Sequence, residues 1–237
     1  MKAMILSDLT TMRRILIQLL GIMAAVSLFL AVTVETLAAT AACAAVMIPF
    51  MFMFNVAAYD EINKWESFRL AMPMSRRGVV AGRYASLLLV TALSLGVSVA
   101  CSFAVTGAAA LLSGAMGQGA PLESLLLENN PPEMIVAAGL MGTAAVLVAS
   151  AVTLPLIMRF GMSLATRLLP LAMLCGAGGF CLAVDNGLLA GLLPAGGLES
   201  LFNGGFAGLF AALVVVPLVL YAVSLVVSLR VYRSREL

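Results

Sequence analysis

Apolar positions in this chain do not alternate with polar ones; they run in long unbroken stretches. Six segments, Ile15–Val34, Thr36–Ala58, Ala85–Leu112, Ile135–Met158, Leu168–Val184 and Phe206–Leu229, carry 17 to 28 residues each without a charged side chain. At 1.5 Å of rise per residue, roughly 20 residues cross the ~30 Å hydrocarbon core of a bilayer, so each run predicts a membrane-spanning helix. The predicted fold class is all-α membrane, a single six-span domain over residues 1–237.

The stretches outside these runs carry weaker, helix-like periods. In Met1–Arg14 the residues Ile5, Leu9, Met12 and Leu16 share one face, while Asp8, Thr10, Thr11 and Arg13 point away from it. That pattern predicts an N-terminal helix lying in the membrane interface. In Tyr59–Tyr84, Asp60 and Glu61 are placed to start a helix, because carboxylates favour the amino end of the helix dipole. Ile62, Trp65, Phe68 and Met72 then recur at three- and four-residue spacing, and Pro73 ends the pattern. Ser75 suits the cap of a second helix that carries Arg76 and Arg77 into the third span. Taken alone, this amphipathic helix also suits the headgroup layer, with Trp65 as an aromatic anchor. Between the fifth and sixth spans, Leu188–Leu193 lies between Gly187 and Pro194 and is too short to cross; it predicts short re-entrant helices. Small residues at four-residue spacing, such as Ala138 with Gly142 and Gly139 with Thr143, suit close helix packing.

Composition and charge sharpen this picture. Hydrophobic residues make up 63% of the chain, charged residues 10%, and mean hydropathy is +1.13, well outside the range of soluble domains. All thirteen Lys and Arg residues fall in alternate gaps between spans, hence on one side of the membrane. That side also holds five acids, a net +8, and the other side holds only six acids. Basic residues are retained in the cytoplasm, so both termini are expected there. The basic face then meets anionic lipid rather than nucleic acid.

Much chemistry is excluded. The chain has no His, which removes the commonest general base and metal ligand. The spans carry no ionisable side chain of the kind that proton relays keep at depth. The phosphate-binding motif GxxxxGK[ST] is missing, and the two lysines, Lys2 and Lys64, stand in other contexts. Cys43, Cys101, Cys175 and Cys181 lie inside spans and read as small packing thiols rather than disulfide or metal partners. No catalytic, cofactor or metal site is predicted, and the chain is not expected to be an enzyme.

The Tyr59–Tyr84 segment resembles the first cytoplasmic loop of small bacterial type-2 ABC transporter permeases, the six-span membrane subunits of ATP-driven exporters. The resemblance rests on Asp60-Glu61, Trp65, Pro73-Met-Ser75-Arg76, Val79-Val80 and Arg83-Tyr84, and on the MKAMILSDLTTMRR start. It implies a coupling helix that docks in a cytoplasmic ABC ATPase, with Asp60, Glu61, Ile62, Trp65, Phe68, Pro73, Ser75 and Arg76 at the interface. It further implies two permease subunits, the same or homologous, with ATP and Mg bound by the ATPase and no cofactor in this chain. The location would be the bacterial cytoplasmic membrane, and the exported substrate amphipathic or peptide-like. The alternative is a six-span accessory, immunity or substrate-capture protein that does not transport.

Overall fold

The structure, a computed structural model, describes residues 2–34, 36–63, 76–116, 125–127, 129–168, 170 and 205–233. Among these residues every regular element is a helix. We number them α1 (Lys2–Val34), α2 (Leu37–Ile62), α3 (Arg76–Met116), α4 (Pro132–Phe160), α5 (162–168) and α6 (Gly205–Arg233). Five of them are long and apolar enough to cross a membrane, over Leu6–Ala31, Leu37–Ile62, Arg77–Leu111, Pro132–Phe160 and Leu213–Val231. In lipid a helix is the form in which an apolar segment satisfies its own amides and carbonyls. The predicted span Leu168–Val184 lies almost wholly outside the described residues. So do the re-entrant run before α6, the stretch 64–75 with Trp65, Phe68, Pro73 and Ser75, and the side chain of Arg76.

Helix α2 is the centre of the bundle. It packs most extensively on α4, then on α3 and α1, and α4 in turn packs on α6. The close α2–α4 approach follows from small residues: a Cβ added at Gly142 would stand 2.7 Å from the carbonyl oxygen of Ala42 and 3.1 Å from Ala45 Cβ. Gly139, one turn away, faces α3 instead, where an added Cβ would meet Leu95 Cδ1 at 3.0 Å. One apolar core, with Met12, Phe52, Val80, Leu87, Leu154 and Tyr221, joins α1, α2, α3, α4 and α6. A second, with Ala31, Leu37, Ala41, Ala109, Leu125 and Ile135, closes the other end. The faces turned away are apolar, as on α6 at Val215, Val219 and Val223, which suits contact with lipid tails. Cys43 and Cys101 are free, half-buried thiols.

Two sequence expectations need correction. Asp60 and Glu61 do not start a helix; α2 runs unbroken to Ile62, and they occupy its last turn. Tyr59 accepts from the Asn63 amide and side chain there, closing α2 after the acidic pair rather than before it. Likewise Asp8 does not face away from the packed side of the N-terminal segment. Helix α1 is continuous from Lys2, and Met4, Asp8 and Met12, at four-residue spacing, form its buried stripe. In both cases a polar partner on another helix outweighs the local preference.

Candidate functional site

The first turns of α3, the last of α2 and the first of α1 meet at one end, the end richest in Arg. Arg83 is buried, at 8% exposure, and pairs with carboxylates from two helices. Its Nη2 bonds Asp60 Oδ2 on α2, and its Nη1 lies 3.7 Å from Asp8 Oδ2 on α1, an ion pair too long for a hydrogen bond. Ser86, one turn further along α3, donates to the same Asp8 oxygen at 3.1 Å. Burying charge at a membrane boundary is unfavourable unless it is paired, and breaking such a pair typically costs about 3–5 kcal/mol. These residues therefore clamp α1, α2 and α3 together where the stretch 64–75 leaves α2 and enters α3.

Glu61, beside Asp60, ties α2 to a different place. Its Oε2 accepts from the amides of Met162 at 2.6 Å and Ser163 at 3.1 Å. Those are free donors at the start of α5, and a carboxylate favours that end of a helix. The chain turns into α5 at Gly161, whose φ of +80° is a left-handed conformation that glycine adopts without strain. Between α2, α3 and α4 lies a cavity of about 90 Å³, with Asp60, Glu61 and Arg83 on one wall and Leu154, Ile157 and Met158 on another. Among the described residues no group of three or more His, Cys, Asp or Glu is arranged to hold a metal ion.

On the other side of α3, Tyr84 belongs to a chain of hydroxyls. Ser224 donates to the carbonyl of Ala151 at 2.6 Å, which uses its one hydrogen. Its 2.8 Å contact with Tyr84 is then a bond donated by Tyr84, and the 2.7 Å contact between Tyr84 and Ser228 is donated by Ser228. Tyr221 donates to the Tyr84 carbonyl at 2.8 Å, with the two rings 4.9 Å apart. The chain thus runs Ser228, Tyr84, Ser224, Ala151, crossing from α6 to α3, back to α6 and on to α4.

Its end point has a reason. A helical carbonyl is normally held by the amide four residues on, and proline has none. Pro155 lies inside α4 and leaves the Ala151 carbonyl without that donor; Ser224 supplies one from α6. The same repair recurs in α2. Pro49 deprives Ala45 of its donor, and Ser94 of α3 donates to Ala45 at 3.2 Å while sharing its hydrogen with Thr91.

Of the sequence-predicted interface, Asp60, Glu61 and Ile62 are therefore adjacent at the end of α2: Asp60 faces inward to Arg83, whereas Glu61 is exposed where it reaches the start of α5 and Ile62 is turned outward, at 79% exposure. Asp8, Ser86, Tyr221, Ser224 and Ser228 were not assigned to a site by the sequence; a four-residue stripe through Met4, Asp8 and Met12 is the signal that points to Asp8, and the i−4 rule for prolines points only to the Ala151 carbonyl that Ser224 meets. Comparison with known proteins gives a family: the profile described as ABC-2 family transporter protein matches residues 3–233. Neither a curated protein nor a solved structure matches the chain.

Proposed function

The chain belongs to the ABC-2 family of transporter proteins, and from that membership we propose that it is the membrane-spanning subunit of an ATP-driven exporter. It is a multi-pass membrane protein with five described spanning helices, and in this reading the sixth is Leu168–Val184. The Arg-rich end faces the bacterial cytoplasm with both termini. Cytoplasmic ABC ATPase subunits dock there, two beneath a pair of permeases, and bind the ATP and Mg; this chain has no catalytic role of its own. The coupling contact is the stretch from Asp60 to Arg76, with Ile62, Trp65 and Phe68 as apolar anchors and Pro73, Ser75 and Arg76 at the turn into α3. The cargo is an amphipathic or peptide-like molecule that uncharged, small-residue-rich spans accommodate.

The observation that carries the reading is how the helices on either side of 64–75 are fastened. One is held by Asp60 and Glu61, the other by Arg83. A force applied to this segment by a closing ATPase reaches a paired, buried charge before it reaches lipid, and so reaches three helices at once. No observation favours the accessory alternative. The test is purification from membranes: the chain alone should hydrolyse no ATP, and a co-expressed ATP-binding subunit should co-purify with it. Trp65→Ala removes a large aromatic anchor of the kind that dominates protein grooves, and should lower ATPase recovery at least tenfold at matched expression. Equal recovery with Trp65→Ala returns this segment to a headgroup-covering role.

A further inference from the structure

We propose that α4 hinges at Pro155 and that Tyr84 and Ser224 are the positioning residues through which the start of α3 sets that hinge. The inference rests on the coupling reading above and deepens it. In an unbroken helix each carbonyl is restrained by its own chain, four residues on. At Ala151 that restraint is absent because of Pro155, and it is replaced sideways by Ser224, itself held by Tyr84 of α3. The stiffness of this turn of α4 is therefore controlled from another helix.

The segment beyond the hinge is gripped at its far end too. Glu61, in the last turn of α2, accepts from Met162 and Ser163 just after α4 stops at Gly161. The Pro155 turn consequently has a handle on each side: Glu61, from the residue cluster before the stretch 64–75, holds Met162 and Ser163 beyond it, and Tyr84 through Ser224, from the helix after that stretch, holds Ala151 before it. Both handles flank the same proposed ATPase contact. Room to move is present, since Ile157, Met158, Gly161 and Met162 border the 90 Å³ cavity. Moving the clamped ends of α2 and α3 together against α6 would swing this segment about Pro155 across that space. Glycine at 161 permits the turn into α5 to follow.

The experiment uses the complex with its co-purifying ATPase, in a background with the four native cysteines replaced. Spin labels are placed at Met141 and Leu164, exposed at 59% and 51% and on opposite sides of the hinge. The distance between them is measured without nucleotide and after trapping with ATP and vanadate. The wild-type pair should shift on trapping. Tyr84→Phe and Ser224→Ala, which cut the hydroxyl chain, should retain half of that shift or less at matched ATPase recovery. Pro155→Ala should do the same by a different route, because the new amide closes on Ala151 and stiffens α4 while removing no side-chain partner. If the hydroxyl variants fail to assemble, Pro155→Ala carries the test. A full shift in Pro155→Ala, or in both hydroxyl variants, overturns the hinge. A wild-type complex that binds ATPase yet shows no shift overturns it as well. Absence of any ATPase partner instead removes the coupling reading beneath it.

Discussion

Ala45 and Ala151 are ordinary alanines whose carbonyls become special because of the residue four places on. Pro49 and Pro155 each remove one amide, and Ser94 and Ser224 each return one hydrogen bond from a neighbouring helix. Leaving a buried acceptor unmet costs about 1–3 kcal/mol. Ser94→Ala should therefore destabilise the detergent-solubilised protein by roughly that amount. In a Pro49→Ala background, where the helix's own amide returns, the same change should cost much less. A double-mutant cycle read by thermal unfolding checks this, and additive effects would show that Ser94 matters only through packing. The i−4 half of each arrangement is legible in the sequence, since the position of a proline names the carbonyl it orphans. The serine half is not: Ser94 lies 49 residues from Ala45 and Ser224 lies 73 from Ala151, and no local period connects them.

Among the helices, five of the six predicted spans are met by described helices, because a lipid environment makes apolar length nearly sufficient for identification. Their ends are not identified that way. Asp60 and Glu61 suit a helix start by the dipole rule, which is worth about 0.3–1 kcal/mol, less than a buried charge pair with Arg83. The apolar period Ile5, Leu9, Met12 and Leu16 sets Asp8 on the polar side of α1, and Arg83 and Ser86 hold it on the inner side instead. The Ala138–Gly142 spacing did point to close packing, though not to which partner each glycine meets. Gly142 serves the α2 contact, with the Ala42 carbonyl nearest. Gly142→Val should accordingly push α2 and α4 apart and lower the unfolding temperature by many degrees, or prevent folding. Gly96→Ala, at a helical position with nothing within 4 Å of the new methyl group, should be neutral or slightly stabilising. Equal loss of thermal stability in the two variants would mean that the helix approach is not set at Gly142.

For the molecule as a whole, the contacts bring the start of α1, the end of α2, the start of α3 and the ends of α4 and α6 to one end, and the described Arg residues gather there. The alternating charge pattern had implied that grouping from the sequence alone, because topology is written in the gaps between spans rather than in the spans. The orientation proposed for this end predicts that in sealed cells an impermeant thiol reagent reaches a cysteine placed at Glu123 but not one placed at Arg159. Labelling at 159 would invert the assignment. At the opposite end, Asn130 accepts from the first amide of α2 at 3.1 Å, above the buried Leu37, Leu125 and Ile135. That small suture bears on which boundaries between helices can part. A molecule released between α2 and α4 would have to break the Asn130 bond and wet three apolar side chains, a barrier of several kcal/mol. The outer flanks of α1 and α6 carry neither obstacle, so the seam between α2 and α4 is the more firmly closed boundary at this end.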